Sequence, residues 1–301
     1  MSSALTVLVT GATGNQGGAV ARKLLERGHR VRAFTRSGDS PAAVELVRLG
    51  AELAIGSFDD RESVERAARD TDSVYAIATP FEAGMEAEVR QGVNLFEAAR
   101  AAGVEHLVYS SVASADEQTG IPHFETKAEL ERRLIDLGLP YTIVAPAAFM
   151  ENLIAPWALP GLQQGLLAVA LPPDYRHQHV AVADLAAFVA LVLEQRERFL
   201  GQRIEIASDA PSGIEQAALL SELSGRAITY VETSLDELRH YPAGEDTALM
   251  FEWFQRVGYS VDINALHNDH PEVGWQSFER WARSRDWSVL AEQPVAEEAV
   301  R

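Results

Sequence analysis

Residues 5–36 restrict the fold more than any other stretch of the chain. An apolar run LTVLVT is followed by a glycine-spaced turn GATGNQGG, an amphipathic stretch AVARKLLERG and a second apolar run HRVRAFTR. Leu5, Val7 and Val9 alternate with small or apolar residues up to Gly11, a length and β-branched content that predict a buried strand. Val20, Leu24 and Leu25 recur at helical period, and Gly28 stops the helix. Strand, glycine turn, helix and strand within about 30 residues make a βαβ unit. Gly11 allows a sharp turn off the strand at positive φ. Gly14 removes the side chain that would obstruct a diphosphate, and Gly17 lets the helix pack closely on the strand. The unpaired N–H groups of residues 14–18 then face outward at the positive end of the helix dipole, which suits an anion, and Gly18 adds room. By itself GxxGxxG fits any glycine-rich turn of an α/β protein. After a strand and opening a helix, it predicts a dinucleotide site.

The end of the second strand helps choose the dinucleotide. An NAD site places an acid there for the adenosine ribose hydroxyls. This chain has Thr35-Arg36-Ser37, and its first acid, Asp39, lies too far along. Arg36 can pair bidentately with a 2′-phosphate and Ser37 can add a hydroxyl donor, so NADP(H) is expected over NAD(H). The competing reading is a solvated arginine at a strand end.

Further along, AELAIGSF, SVYAIATPF, EHLVYSSVASAD and LPYTIVAPAAFMENL read as third to sixth strands with their exits, separated by helices. One helix is expected over residues 85–102, with Val89, Val93, Phe96, Ala99 and Ala102 on its apolar stripe; another runs from Pro122 to Gly138. The fold class is therefore α/β: a Rossmann-type doubly wound parallel sheet of order 3-2-1-4-5-6, with a smaller, discontinuous α+β substrate domain. We expect a nucleotide-binding domain over 1–152, with 178–196 packing back on it, a substrate or lid domain over 153–290, and a disordered acidic tail over 291–301. Residues 155–176 read as loop, RIEIAS and AITYVE as strands, and VADLAAFVALVLEQ and SGIEQAALLSELSG as helices. Ligands of such sheets sit at the carboxyl ends of the strands, a rim that holds Gly11–Gly17, Arg36, Phe58, Asp59, Ala78, Thr79, Pro80, Ser110 and Ser111.

Charge removes one class of partner. The net charge of −18, uninterrupted by any basic cluster, argues against direct nucleic-acid binding. With no cysteine, disulfides, thiolate metal sites and a cysteine nucleophile are excluded. The N-terminus lacks a charged n-region, no apolar stretch approaches the ~20 residues that span a bilayer, and the expected location is cytoplasmic.

TGATGNQGG, the arginine ending strand two, TPF after strand four, YSS on strand five, HFETK, and PAAFMEN after strand six resemble NmrA-like proteins, atypical members of the short-chain dehydrogenase/reductase superfamily. The similarity extends over VAVADLAAFV and SDAPSGIEQAALLSELSGRAITY. It implies NAD(P)(H) binding together with one of two roles. One is reduction of quinones or other small carbonyl compounds. The other is redox sensing, in which the state of the dinucleotide passes to a protein partner. The resemblance places cofactor contacts at Gly11, Thr13, Gly14, Asn15, Gln16, Gly17, Arg36, Thr79 and Lys127, and near Phe149, Met150, Glu151 and Asn152. Where the family often has an aspartate after the glycine of strand three, this chain has Ser57, followed by Asp59 and Asp60.

The wider superfamily pairs tyrosine and lysine as Tyr-x-x-x-Lys, one turn apart on a helix face; the lysine holds the nicotinamide ribose and acidifies the tyrosine. Here the segment reads His123-Phe-Glu-Thr-Lys127, with histidine in the place of tyrosine. Three readings stay open. His123 donates the proton; or the acceptor is a quinone or conjugated compound that takes its proton from water; or no chemistry occurs and the dinucleotide is a signal. An isomerase or epimerase is disfavoured, because those activities retain the tyrosine. Phe81, Ser111, His123, Met150 and His177 are the candidate substrate contacts. His177 with His179, and the HNDH run at 267–270, lack the third convergent ligand a metal needs, so no metal is expected. Phe251, Trp253, Phe254, Phe278 and Trp281 fall at helical spacing, as core, as subunit contact in a homodimer, or as pocket lining.

Overall fold

A computed structural model describes residues 4–241 and 243–291. The tail expected over 291–301 therefore lies, after Ala291, outside the described residues. The chain divides into two compact units. The first holds the described residues up to Ala147, with Val182–Ile206 and Asn264–Gly274; the second holds Ala148–Ala181, Ala207–Ile263 and the residues from Trp275 on.

In the first unit strands and helices alternate: β1 Thr6–Val9, α1 Asn15–Glu26, β2 Arg30–Thr35, α2 Pro41–Arg48, β3 Glu52–Ile55, α3 Arg61–Ala68, β4 Ser73–Ile77, α4 Pro80–Ala83, α5 Met85–Ala101, β5 His106–Ser110, α6 Pro122–Asp136 and β6 Tyr141–Pro146. The sheet is parallel throughout and runs β3-β2-β1-β4-β5-β6, the expected order, with a seventh strand, Arg203–Ile206, beside β6. RIEIAS reads as a strand from its sequence, and in the chain it follows the helix Val182–Glu194. That helix is buried on nearly every side, as its unbroken apolar sequence requires, because it packs on α1 and against β5 and β6. The central strands β4 and β5 are buried along almost their whole length and apolar in their middles because helices cover both sheet faces. Thr10 ties β1 to β4: its hydroxyl donates to the Tyr75 carbonyl at 3.1 Å and accepts from the Ile77 N–H at 2.9 Å.

The buried stripe of α5 differs from the expected one. It is centred on Ala87, Glu88, Gly92, Leu95, Phe96 and Ala99, and Val89 and Val93 are only half-buried. Period alone assigned the stripe to the valines, because a carboxylate and a glycine do not count as apolar. Gly92 turns inward because α6 lies so close that a Cβ there would meet Leu130.

In the second unit, the stretch 155–176 expected as loop contains a helix, Leu159–Gln163, and a strand, Leu166–Val169, which pairs in parallel with Thr229–Glu232. The run LLAV lacks alternation and gains a partner only 63 residues later in the chain, so no local pattern marks it. A second short pair joins Ala148–Phe149 to His179–Val180. The core of this unit gathers Met150, Leu162, Leu220, Phe278, Trp281 and Trp287. No helix among the described residues is long and apolar enough to cross a membrane.

Candidate functional site

The turn from β1 into α1 is shaped by backbone. Gly11 sits at φ +59°, and the Gly14 N–H donates to the Gly11 carbonyl at 2.9 Å. A Cβ on Gly17 would lie 2.3 Å from that same carbonyl oxygen, so only glycine allows α1 to start so near β1. Gly14 caps α1 without a side chain, and no acidic residue occupies the first turn. The positive end of α1 is thus left to an anion from outside, which is the cradle a dinucleotide diphosphate fits. Thr13 and Asn15 are exposed on it, and Gln16 is anchored from behind, its Oε1 accepting the Ser110 hydroxyl at 2.8 Å.

At the end of β2 the Arg36 guanidinium, three-quarters exposed, reaches the Glu82 carboxylate on α4 at 2.9 Å. The exposed Ser37 hydroxyl donates to Asp39, and the Thr35 hydroxyl turns back to the Ser37 carbonyl at 2.9 Å. Beyond β3, Phe58 is half-buried with its ring 5.4 Å from that of Phe34. Asp59 is held by Arg90 at 3.0 Å and Gln91 at 3.1 Å, and the arginine keeps its carboxyl below the usual range.

After β4, Ala78, Thr79 and Pro80 lead into α4, whose first turn the Thr79 hydroxyl caps by accepting the Phe81 N–H. Lys127 on α6 donates to the Ala78 carbonyl and pairs with Glu88 of α5 at 2.7 Å. Glu88 has no exposed surface and also accepts the Thr126 hydroxyl at 2.6 Å. The ammonium lies 5.8 Å above the Tyr109 ring. Tyr109 has no exposed surface, and burial, reinforced by Glu88 and Glu131, pushes its phenol well above the ordinary value. One turn before Lys127, the His123 ring lies between Phe124 at 4.8 Å and Phe81 at 5.8 Å, and the Phe81 side is open to solvent. Lys127, His123 and the Ala78–Phe81 segment therefore meet on one rim of the first unit.

Other expected contacts have different surroundings. Ser111 is buried and donates to Glu131, whose second oxygen takes Arg203 at 2.9 Å; Arg203 also holds Glu205 at 2.7 Å and Asp116 at 3.0 Å. Burial raises the Glu131 carboxyl above its ordinary range. In the second unit Met150 has no exposed surface and belongs to the core. Its neighbours Phe149 and Asn152 are half-buried and exposed, and Glu151 accepts the Trp281 indole N–H at 2.9 Å. His177 is stacked on Tyr259 at 5.6 Å and packed on Phe254 at 4.6 Å, and burial lowers its imidazole well below the ordinary value. Ser111, Met150 and His177 are thus committed to packing or to a hydrogen-bond network, and none presents a free polar group on the surface. Among the described residues no group of three or more histidine, cysteine, aspartate or glutamate side chains comes together as metal ligands. Glu82 and Glu88 escape a reading by motif. For Glu88 a signal exists, a carboxylate standing four residues before Gly92 on an otherwise apolar stripe.

The sequence profile of the NmrA-like family matches residues 3–282. The (4-alkanoyl-5-oxo-2,5-dihydrofuran-3-yl)methyl phosphate reductase of Streptomyces griseus is 32% identical over 250 residues, covering 82% of this chain and 81% of its own. The NAD(P)H azoreductase of Xenophilus azovorans is 27% identical over 238 residues, covering 79% and 80%. The triphenylmethane reductase of Citrobacter sp., solved with NADP(H), superposes with a TM-score of 0.75 at 24% identity over 87% of this chain and 94% of its own, a likeness of fold.

Proposed function

The chain belongs to the NmrA-like family, and from that premise we propose that it is an NADPH-dependent reductase of a small quinone or similarly conjugated carbonyl acceptor. The observation that carries this proposal is the pairing of a complete glycine cradle with a lysine fixed by a buried carboxylate, at a site where histidine replaces the tyrosine acid. When bound, the dinucleotide supplies a hydride. The cradle at Gly11–Gly17 holds its diphosphate, and Arg36 with Ser37 takes the 2′-phosphate, which is why NADP(H) is favoured over NAD(H). Lys127 holds the nicotinamide ribose, with Glu88 and the Ala78 carbonyl fixing its Nζ. Thr79, Pro80 and Phe81 wall the reacting end, and His123 offers an imidazole N–H to the acceptor oxygen.

Acceptor choice follows from the missing tyrosine. An isolated carbonyl becomes an alkoxide and needs a matched acid, whereas a conjugated acceptor spreads the charge and draws its proton from water. The name of the Streptomyces relative describes such a compound, a dihydrofuran whose ring double bond is conjugated to two carbonyls, both attached at C4. Mixing the protein with NADPH and a panel of quinones, azo dyes, butenolides and simple ketones, and following loss of NADPH absorbance, tests the proposal. Turnover is expected with the conjugated acceptors and not with the ketones. His123→Ala should lower kcat by less than about tenfold, since a true general acid contributes about 10²-fold or more. Tight NADPH binding with no turnover on any acceptor would replace this proposal with the redox-sensing one.

A further inference from the structure

The guanidinium that the proposed function assigns to the 2′-phosphate already has a partner. Arg36 Nη1 lies 2.9 Å from Glu82 Oε2, and the two residues come from different segments, the end of β2 and the turn α4 that follows β4. Both side chains are more than half exposed, 75% for Arg36 and 59% for Glu82, so the pair is weak and cheap to open. Among the described residues neither has a second ion-pair partner, and the pair is exposed, whereas the carboxylate that Lys127 meets has no exposed surface. The turn carrying Glu82 is short: Thr79 caps it at one end and Gly84, at φ +87°, closes it at the other.

We infer that Glu82 is a specificity-determining residue, an internal counter-ion that occupies Arg36 and must be displaced by the cofactor's 2′-phosphate. The inference rests on the assignment of Arg36 to that phosphate. A phosphate brings about two negative charges to a guanidinium that already holds one, so NADP(H) must break the pair and bear repulsion from the displaced carboxylate. NAD(H) has a hydroxyl there and leaves the pair intact. Glu82 therefore narrows the preference for NADP(H) that Arg36 creates, and it does so from outside the glycine motif and the strand-two end where dinucleotide preference is usually read.

Calorimetric titration of the whole chain with 2′,5′-ADP and with 5′-ADP tests this without any turnover. In Glu82→Gln the affinity for 2′,5′-ADP should rise about threefold to tenfold at low salt, and the gain should shrink toward zero at about 1 M salt. The affinity for 5′-ADP should stay within twofold, which also shows that the variant is folded. In an Arg36→Ala background, Glu82→Gln should change 2′,5′-ADP binding by much less, because the residue acts through the guanidinium. An unchanged 2′,5′-ADP affinity in Glu82→Gln, an equal gain for both nucleotides, or the same gain with and without Arg36 would each overturn the inference. Failure of the wild type to prefer 2′,5′-ADP, or equal loss of both nucleotides in Arg36→Ala, would overturn the assignment of Arg36 and this inference with it. Preference for 2′,5′-ADP without any response to Glu82→Gln overturns the inference alone.

Discussion

A methyl group at position 17 would collide with the Gly11 carbonyl oxygen at 2.3 Å, whereas one at position 14 would meet the same oxygen at 3.4 Å, an ordinary contact. The two glycines therefore do separable jobs. Gly17→Ala should push α1 off β1 and cost about 1–3 kcal/mol, seen as a melting temperature several degrees lower. Gly14→Ala should leave the melting temperature within a degree or two of wild type and, if the proposed cradle holds the diphosphate, remove the thermal shift caused by NADPH. Equal loss of stability in both variants would contradict this division. The packing role of Gly17 was legible in the sequence because a glycine at that spacing, after a strand and opening a helix, marks where two backbones come close. The role of Ser111 was not. Its strand position suggested a hydroxyl facing the acceptor, but the carboxylate it serves, Glu131, lies on another element, and no motif links the two.

Two helices show how much of an element the sequence discloses. The Val182–Glu194 helix was legible because it is apolar all round; that it lies on α1 was not, since nothing local says which surface will cover it. In α5, counting apolar residues found Phe96 and Ala99 but gave the rest of the stripe to half-buried positions and passed over Glu88, which pairs with the lysine of α6 in the interior. Between α6 and the seventh strand, Arg203 performs the corresponding service for Glu131, whose side chain is 6% exposed. Removing the cation strands a buried carboxylate. Arg203→Ala should cost about 3 kcal/mol in urea unfolding, and Glu131→Gln added to it should restore part of that loss. Additive losses in the double variant would mean that the pair contributes nothing as a pair.

For the molecule as a whole, two buried imidazoles are expected to contribute to the response to acid. His106, with no exposed surface, gives its Nε2–H to the Thr142 hydroxyl at 2.9 Å, and burial, aided by the nearby Arg196, lowers its pKa to about 4. His179 gives its Nδ1–H to the His177 carbonyl at 2.8 Å; burial lowers it to about 4 even though Asp209 pulls the other way. An unfolded histidine titrates near 6.5, so between about 6.5 and 4 the unfolded chain holds more protons, and stability falls as pH falls through that window. Each ring accounts for at most about 3 kcal/mol, complete only below the folded value. The urea midpoint should drop between pH 7 and pH 4.5, and His106→Asn should flatten the decline; a midpoint independent of pH over that range would exclude these rings as its cause. The connectivity of the sheet has a further consequence. Glycine cradle, Arg36 and Lys127 all lie before residue 130, yet the strand that covers the outer side of β6 is residues 203–206. A growing chain therefore carries these groups, which we propose hold the nucleotide, out of the ribosome well before that unit is finished. Through the 56 residues from 147 to 202, β6 has no neighbour on its outer side, and an unpaired strand edge of that kind is open to pairing with another copy.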